Sequence, residues 1–222
     1  LFRSEEKILS LNQIDAQRER VVNALIKEMV SLNMANFERQ MDTYIGQKGI
    51  EKTIIEIIFP FMERVGILWV TNHINPAQEH LATNVIRQKI ILGIEKLPPV
   101  LNYSKRIVLF MPEGEYHEIG LLYVHFLLKQ RGFYIDYLGA NVPMIDLRYL
   151  SEFHKVDYLY CHLTSPAKNF KIHKFFEQLS EVSKIIPIVI SGQLAQAYKG
   201  QIAGNIQLKR TLAETISFLE SI

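Results

Sequence analysis

The 222-residue sequence contains a single cysteine, Cys161. One thiol excludes an internal disulfide framework and a cysteine-based zinc site, and it favours a reducing, cytoplasmic setting. Charge of one sign is also scarce, because 25 basic and 23 acidic residues are scattered along the chain and leave a formal net charge of +2. The sequence therefore has neither the basic stripe of a nucleic-acid-binding surface nor a polybasic membrane-binding block.

Long apolar runs and targeting signals are lacking as well. The sequence has no run of about 18 or more apolar residues, which excludes an ordinary membrane-spanning helix. The first residues, LFRSEEKI, lack the basic–apolar–small pattern of a signal peptide and do not begin with Met. We therefore expect the sequence to be a fragment or a processed product.

Sequence motifs of the common enzyme classes are also missing. The chain has no phosphate-binding glycine loop and no nucleophile elbow, and no acidic pair follows its first predicted strand. These absences predict that the chain is not an enzyme in its own right.

The residues before EKLPPVLNYSKR (95–106) have the period of amphipathic helices. Apolar side chains recur there at spacings of three and four. Helices are predicted around 21–30, over 34–44, over 50–69 and from Pro76 onward. Four such helices with short connections predict an all-α, up-down four-helix bundle over residues 1–98.

Several residues mark the ends of these helices. Gly49 is predicted to cap the second helix at its C-terminus. Pro60 predicts a kink or a break within the third helix. Asn75 is predicted as the N-cap of the fourth helix, with Pro76 at its first position and Gln78 completing a capping box.

After Pro98-Pro99, short apolar runs alternate with helical stretches. The predicted strands are 106–111, 133–138, 156–163, 187–191 and 205–209. Helices are predicted to end near Lys129, to follow Pro143, to cover 171–183 and to start at Thr211. This alternation predicts an α/β domain over residues 103–222, with a doubly wound, parallel, five-stranded sheet of flavodoxin-like order. Such sheets bind ligands at the carboxyl ends of their strands.

The loop PEGEYHEIG (112–120) follows the first strand of this predicted sheet. A turn needs a glycine and a helix start needs a cap, but neither needs a histidine. The motif Glu115-x-His117-x-x-Gly120 in this position, after a helical bundle, resembles the cobalamin-binding proteins. Methionine synthase and the corrinoid methyltransferases usually have Asp in the first place, whereas the light-responsive MerR-family repressors often have Glu.

A second motif supports the resemblance to these repressors. Trp69 is followed, after nine residues, by Glu79-His80. This spacing is similar to the signature of the repressors' helical bundle, in which the three side chains cover the upper face of adenosylcobalamin. The resemblance implies that Trp69 offers a rigid apolar plate to the adenosyl group, while Glu79 and His80 hydrogen-bond its polar edge.

The resemblance also implies roles for the residues of the PEGEYHEIG loop. A neutral imidazole suits a cobalt ion, so His117 is the predicted metal ligand. Glu115 is predicted to accept the other ring N–H of that histidine, which fixes its tautomer. Gly120 is predicted to let the backbone and the corrin tail pass closely at the helix start.

The sequence departs from the family at the pocket for the displaced nucleotide tail. The family usually has Ser, followed by Thr or Leu, at the end of strand three, where this chain has YCHLTSP (160–166). Depending on a one-residue shift, Cys161 or His162 replaces the Ser, and Leu163 or Thr164 follows. A Gly-Gly pair is usual after strand four, but Ser191-Gly192 stands here. We predict that Thr164, Ser191 and Gly192 line this pocket, and that the Ser191 side chain narrows or closes it.

Ordinary structural roles remain open for the same residues. His117 fits a plain loop near a helix N-terminus, and a lone Trp69 is typical of a core. Glu79 and His80 fit the first turn of a capped helix, where the helix dipole favours Glu.

The resemblance implies a function: a cobalamin-binding sensory and oligomerisation module of a transcriptional regulator, dependent on adenosylcobalamin and responsive to light. The expected partners are further copies of the chain, in a dimer or tetramer. DNA is expected to bind only through a winged helix-turn-helix that would precede the bundle and is missing here, and no membrane partner is expected. Two alternatives remain open: a module of the same fold that has lost corrin binding and works through protein contacts, and a corrinoid methyl carrier that uses the same His117.

Overall fold

The computed structural model describes residues 2–101, 103–153, 155–166, 169–182, 185–202 and 204–222, with side chains from residue 13 onward except that of residue 153. It forms two compact units, one extending to Ile90 and the other starting at Ile91. The division therefore falls inside the last helix of the bundle, whereas the sequence analysis placed the domain boundary after residue 98.

The first unit is helical. Its elements are α1 (Phe2–Val30), α2 (Met34–Lys48), α3 (Ile50–Thr53), a π-helical turn (Ile54–Ile58), α4 (Phe59–Val70) and α5 (Pro76–Glu95), whose last turn belongs to the second unit. Because α3, the π-helical turn and α4 follow one another without a break, the unit has four helical segments, as predicted. Its core consists of apolar side chains at helical spacing, among them Leu25, Met29, Phe37, Met41, Ile57 and Phe61.

The predicted helix ends are confirmed. The side-chain oxygen of Asn75 accepts a hydrogen bond from the backbone N–H of Ala77 at 2.9 Å, and the backbone N–H of Asn75 donates to the side chain of Gln78 at 2.7 Å. Gly49 ends α2 with a φ of +80°, and its N–H donates to the carbonyl of Ile45. These bonds satisfy backbone groups that a helix end leaves without helical partners.

Pro60 does not break its helix. The π-helical turn lies directly before it, and the N–H of Phe59 bonds to the carbonyl of Ile54, five residues back. A proline ring clashes with the carbonyl four residues earlier, so the wider turn lets the helix continue past it. The carbonyl concerned belongs to Glu56, whose side chain accepts hydrogen bonds from Tyr44 at 2.8 Å and from Arg18.

The second unit is an α/β domain. Its elements are β1 (Arg106–Pro112), α6 (Ile119–Gln130), β2 (Tyr134–Val142), α7 (Met144–Phe153), β3 (Tyr158–His162), α8 (Ile172–Val182), β4 (Ile188–Ser191), α9 (Gln193–Ala197), β5 (Ile206–Leu208) and α10 (Leu212–Ser221). The five strands are parallel in the order β2-β1-β3-β4-β5, which confirms the predicted flavodoxin-like sheet. The short helix α9 was not predicted, and the predicted end of α8, Ser183, lies outside the described residues.

Strand β2 extends four residues beyond its predicted end at residue 138. Its pairing with β1 shifts between Leu109 and Phe110 and again before Pro112. Two residues of this extension have left-handed backbone conformations, Gly139 with a φ of +77° and Asn141 with a φ of +58°. The irregular end of β2 therefore lies beside the loop that follows β1.

In the part of the chain that the structure describes, no helix is both long enough and apolar enough to cross a membrane.

Candidate functional site

The candidate site lies at the carboxyl edge of the sheet, in the loop between β1 and α6. The loop turns at Gly114, which has a φ of +81°, and the N–H of Glu115 donates to the carbonyl of Pro112 at 3.0 Å. This turn directs the Glu115 side chain inward, where it has no exposed surface, while the His117 side chain remains 51% exposed.

The Glu115 carboxylate is held by hydrogen bonds from two loops. Its Oε1 accepts from the backbone N–H groups of Tyr116 at 3.0 Å and His117 at 3.1 Å. Its Oε2 accepts from the backbone N–H groups of Thr164 at 2.8 Å and Ser165 at 2.7 Å, in the loop after β3. A buried carboxylate needs such partners, because an unpaired charge is costly in a low-dielectric interior.

These contacts also set the protonation state of Glu115. Burial by itself raises the pKa of the carboxyl, but the hydrogen bonds from the side chain and backbone of His117 and from the Thr164 backbone outweigh it. The pKa of Glu115 therefore lies below its ordinary value of 4.5. The group is ionised at neutral pH and can only accept hydrogen bonds.

His117 contacts this carboxylate directly. Its Nδ1 lies 2.6 Å from Glu115 Oε1. Because the carboxylate only accepts, Nδ1 carries a proton and donates it. In the neutral ring the lone pair is then on Nε2, the nitrogen that can ligate a metal. The contact predicted between Glu115 and His117 is thus present in the structure.

Asn141, which the sequence analysis missed, holds the same loop from the end of β2. Its side-chain oxygen accepts from the N–H of Gly114 at 3.0 Å, and its own N–H donates to the carbonyl of Glu115 at 3.2 Å. Asn is one of the few residues that readily adopts the left-handed conformation found here. A signal for Asn141 was present in the sequence. This Asn comes three residues after the predicted end of strand two, which lies beside strand one in the predicted sheet.

The region predicted to admit the nucleotide tail contains a network of side chains. His162 Nδ1 lies 2.9 Å from the hydroxyl of Ser191, and that hydroxyl accepts from Tyr160 at 2.7 Å. The register pairs His162 with Ser191 across β3 and β4. His162 therefore lies beside Ser191, whereas Cys161 is fully buried in the core.

Gly120 has a different neighbour from the one expected. A Cβ placed on Gly120 would lie 2.2 Å from His162 Nε2, so the imidazole fills the space beside this glycine. The resemblance implied that the corrin tail passes through that space. Since a ring already occupies it in this chain, the absence of a side chain at position 120 is explained here by packing against His162.

Gly192 and Thr164 act through their backbones. Gly192 has a φ of +99°, and a Cβ there would lie 2.3 Å from the carbonyl oxygen of Leu163. Thr164 contributes its N–H to the Glu115 carboxylate. Sequence reasoning selected both positions, but it could not show that the first is required by a close backbone approach and the second by its amide.

In the first unit, the structure places two of the three predicted residues in contact with each other. His80 Nδ1 lies 2.9 Å from Glu79 Oε2, in the first turns of α5. Trp69 is the penultimate residue of α4, and 47% of it is exposed. This exposure argues against the plain core role that was left open for Trp69.

Among the described residues, no group of three or more His, Cys, Asp or Glu side chains is placed to hold a metal ion.

Comparison with known proteins finds similarity to a B12 binding domain, to two transcriptional repressors and to a corrinoid protein. A family model described as "B12 binding domain" matches residues 21–92, which lie within α1–α5. The HTH-type transcriptional repressor CarA of Myxococcus xanthus is 32% identical over 91 residues, which is 41% of this chain and 30% of that protein. CarH of the same organism is 30% identical over 96 residues, covering 43% of this chain and 31% of that protein.

These matches confirm the predicted resemblance, and the chain spans less than a third of the length of either repressor. Among solved structures, the Methanosarcina barkeri monomethylamine corrinoid protein matches with a TM-score of 0.70 at 17% identity, over 92% of this chain and 99% of that chain. At this identity the likeness shows the fold.

Proposed function

We propose that this chain, whose residues 21–92 match a B12 binding domain, is the cobalamin-binding sensory and oligomerisation module of a transcriptional regulator. The observation that carries the proposal is the pair formed by His117 and Glu115. A half-exposed imidazole, with its Nδ1–H bonded to a buried carboxylate, presents Nε2 at the edge of the sheet where ligands bind in this fold.

The chemistry of these residues fits the metal of a corrin. If a corrin binds here, its ring would supply most ligands of the metal, and His117 Nε2 would supply one from the protein. Glu115 raises the basicity of the imidazole and keeps the lone pair on Nε2. Because two loops hold Glu115 and Asn141 holds the backbone beside it, the ligand is positioned before any corrinoid binds.

The bundle residues are proposed to bind the upper substituent. Adenosylcobalamin would supply a light-sensitive bond between its metal and its adenosyl group. Trp69 is the proposed contact for the adenine plane, and Glu79 and His80 are its proposed hydrogen-bonding partners. Loss of this contact would shift the equilibrium between assemblies of the chain, which is how the signal would reach a DNA-binding segment.

The proposal is tested by reconstitution in the dark. The purified chain is mixed with adenosylcobalamin and desalted, and its visible spectrum and molar mass in solution are measured before and after illumination. We expect retained corrinoid absorbance and a change of oligomeric state with light. His117→Ala should lose the absorbance, whereas His173→Ala, at an exposed histidine of α8, should keep it. No retained absorbance in the wild-type chain contradicts the proposal.

The bundle contact is tested separately with Trp69→Ala. This substitution should weaken binding of adenosylcobalamin but leave binding of hydroxocobalamin unchanged, since only the first carries the adenosyl group. Val70→Ala is the matched control, because Val70 is the exposed neighbour of Trp69 on α4. Equal losses for both corrinoids would show that Trp69 supports the fold rather than the adenosyl group.

One observation favours a second candidate function, a module of the same fold that binds no corrin and works through protein contacts. That observation is the His162 ring beside Gly120, where the resemblance implies room for the nucleotide tail. Failure of every corrinoid to bind, together with a stable oligomer in its absence, would favour this candidate.

A further inference from the structure

The space beside Gly120 at the start of α6 is closed by one side chain. His162 Nε2, Cε1 and Cδ2 would lie 2.2, 2.5 and 2.9 Å from a Cβ at position 120. Real Cβ contacts are essentially never below 3.0 Å, so even a methyl group does not fit between the helix start and the ring. A ligand segment that runs along Gly120 must first displace His162.

The imidazole is held in this position by neighbouring polar groups. Tyr160 donates to the Ser191 hydroxyl, and the same hydroxyl lies 2.9 Å from His162 Nδ1. Both Tyr160 and Ser191 are buried, with at most 4% of either exposed. A rotation of the His162 ring would therefore cost the buried serine hydroxyl one of its hydrogen-bond partners.

The electrostatics of this network keep its side chains uncharged while the His162 ring fills the space beside Gly120. Burial lowers the pKa of His162 to about 4 and raises the pKa of Tyr160 to about 12. At neutral pH the ring is uncharged and the phenol keeps its proton. The network thus has no net charge that would attract an anionic group, such as the phosphate of a nucleotide tail.

We propose that His162 is the specificity-determining residue of this site and that it makes the chain select corrinoids without a nucleotide tail over complete cobalamins. The inference rests on the proposed function, because it concerns which corrinoid His117 binds. The hydrogen bonds that hold His117 and Glu115 are made to each other and to the Thr164 and Ser165 backbones, so they do not depend on His162. The contact between the His162 ring and Gly120 obstructs only a substituent of the corrinoid that runs along the start of α6.

The chemical class of the ligand follows from the separate roles of His117, which ligates the metal, and His162, which fills the space beside Gly120. Cobinamide-type corrinoids keep the corrin ring, the cobalt and the upper group, and they lack the nucleotide that would compete with His162 for space. A complete cobalamin is expected to bind only after the ring has swung out and its hydrogen bond to Ser191 has been lost.

The test compares adenosylcobinamide with adenosylcobalamin in the dark, because the two share the upper group and differ in the nucleotide. Dissociation constants are measured by equilibrium dialysis with the full chain. The wild-type chain should bind adenosylcobinamide at least tenfold more tightly. His162→Ala should tighten adenosylcobalamin binding at least tenfold and leave adenosylcobinamide binding within about twofold.

Two further variants separate bulk from polarity. His162→Ser removes the ring but keeps a hydroxyl for Ser191, so it should tighten cobalamin binding as His162→Ala does, and it serves if the alanine variant fails to fold. His162→Phe keeps the bulk and removes the hydrogen bond, and it should give no tightening. Circular dichroism during urea unfolding checks that each variant is folded.

The outcomes distinguish this inference from the proposed function. If neither corrinoid binds to the wild-type chain or to any variant, the proposed function fails. If both bind the wild-type chain equally and His162→Ala changes neither constant, the proposed function stands and the role of His162 is overturned. If adenosylcobalamin binds the wild-type chain weakly and the opened variants at least tenfold more tightly, His162 is supported as the group that disfavours the nucleotide tail.

Discussion

The buried Glu115 carboxylate is the part of the site whose removal has the most calculable effect. The Glu115→Gln substitution keeps the shape of the side chain but replaces one acceptor oxygen with an NH₂ group. Oε2 accepts from two backbone N–H groups, and Oε1 accepts from two more and from the imidazole of His117. Whichever way the amide is turned, its NH₂ group therefore faces at least two backbone donors.

The expected loss of stability follows from those unsatisfied donors. A buried donor without a partner costs about 1–3 kcal/mol, so two donors lower the free energy of unfolding by about 2–6 kcal/mol. This is a large part of the 5–15 kcal/mol typical of a domain. Urea unfolding at pH 7, followed by circular dichroism, measures the change. Glu113→Gln, at an exposed carboxylate of the same loop, is the matched control and should change stability by less than about 0.5 kcal/mol.

The same substitution should change how stability depends on pH. Because the pKa of Glu115 is lower in the folded chain, its stabilising contribution is complete well above pH 4.5 and is lost as the pH falls through the folded pKa. The wild-type chain should therefore be the more stable of the two at pH 7, and the difference should shrink in acid below pH 4.5. A difference below about 1 kcal/mol at pH 7, or one that grows in acid, would refute the reasoning.

Three further substitutions test the packing around the site by urea unfolding. Gly192→Ala puts a Cβ at a φ of +99° and against the Leu163 carbonyl, so backbone strain alone should cost about 1–3 kcal/mol, and an unchanged midpoint contradicts that contact. Gly120→Ala should destabilise the wild-type chain but have much less effect in a chain that also carries His162→Ala, with a coupling energy between the two substitutions of about 0.5–3 kcal/mol. If the two effects on the free energy of unfolding simply add, the His162 ring does not fill the space beside Gly120. Asn141→Ala should destabilise more than Asn141→Gly, because both lose the bond to Gly114 but only glycine accepts the φ of +58° without strain; the reverse order would remove the backbone argument.

The elements of the fold were predictable because local and tertiary signals agree in this chain. The Asn75–Gln78 box marks the start of α5 with side-chain bonds that depend on only a few adjacent residues. The alternation of apolar runs with helical stretches predicted all five strands, and β1, β3 and β4 are mainly buried, as expected inside a parallel sheet. The contact between Glu115 and His117 was also predictable, because only one residue separates them in the sequence.

Contacts between distant loops could not be predicted from the sequence. Which of Cys161 and His162 faces Ser191 depends on the register of β3 against β4, and a shift of one residue turns every side chain to the other face. The part that Asn141 plays depends on the shifted pairing of β2 with β1. Thr164 and Ser165 bind Glu115 through N–H groups that every residue except proline has, so their identity carries no signal.

The central claim, that His117 is the axial ligand of a corrin cobalt, is tested most directly by electron paramagnetic resonance. The chain is labelled with ¹⁵N-histidine, loaded with cobalamin and reduced to the Co(II) state. We expect a nitrogen splitting that changes from a triplet in the unlabelled chain to a doublet in the labelled chain, and that is lost in His117→Ala. A triplet that persists in the labelled chain would contradict the account, because the axial nitrogen would then belong to the corrinoid rather than to a histidine of the protein.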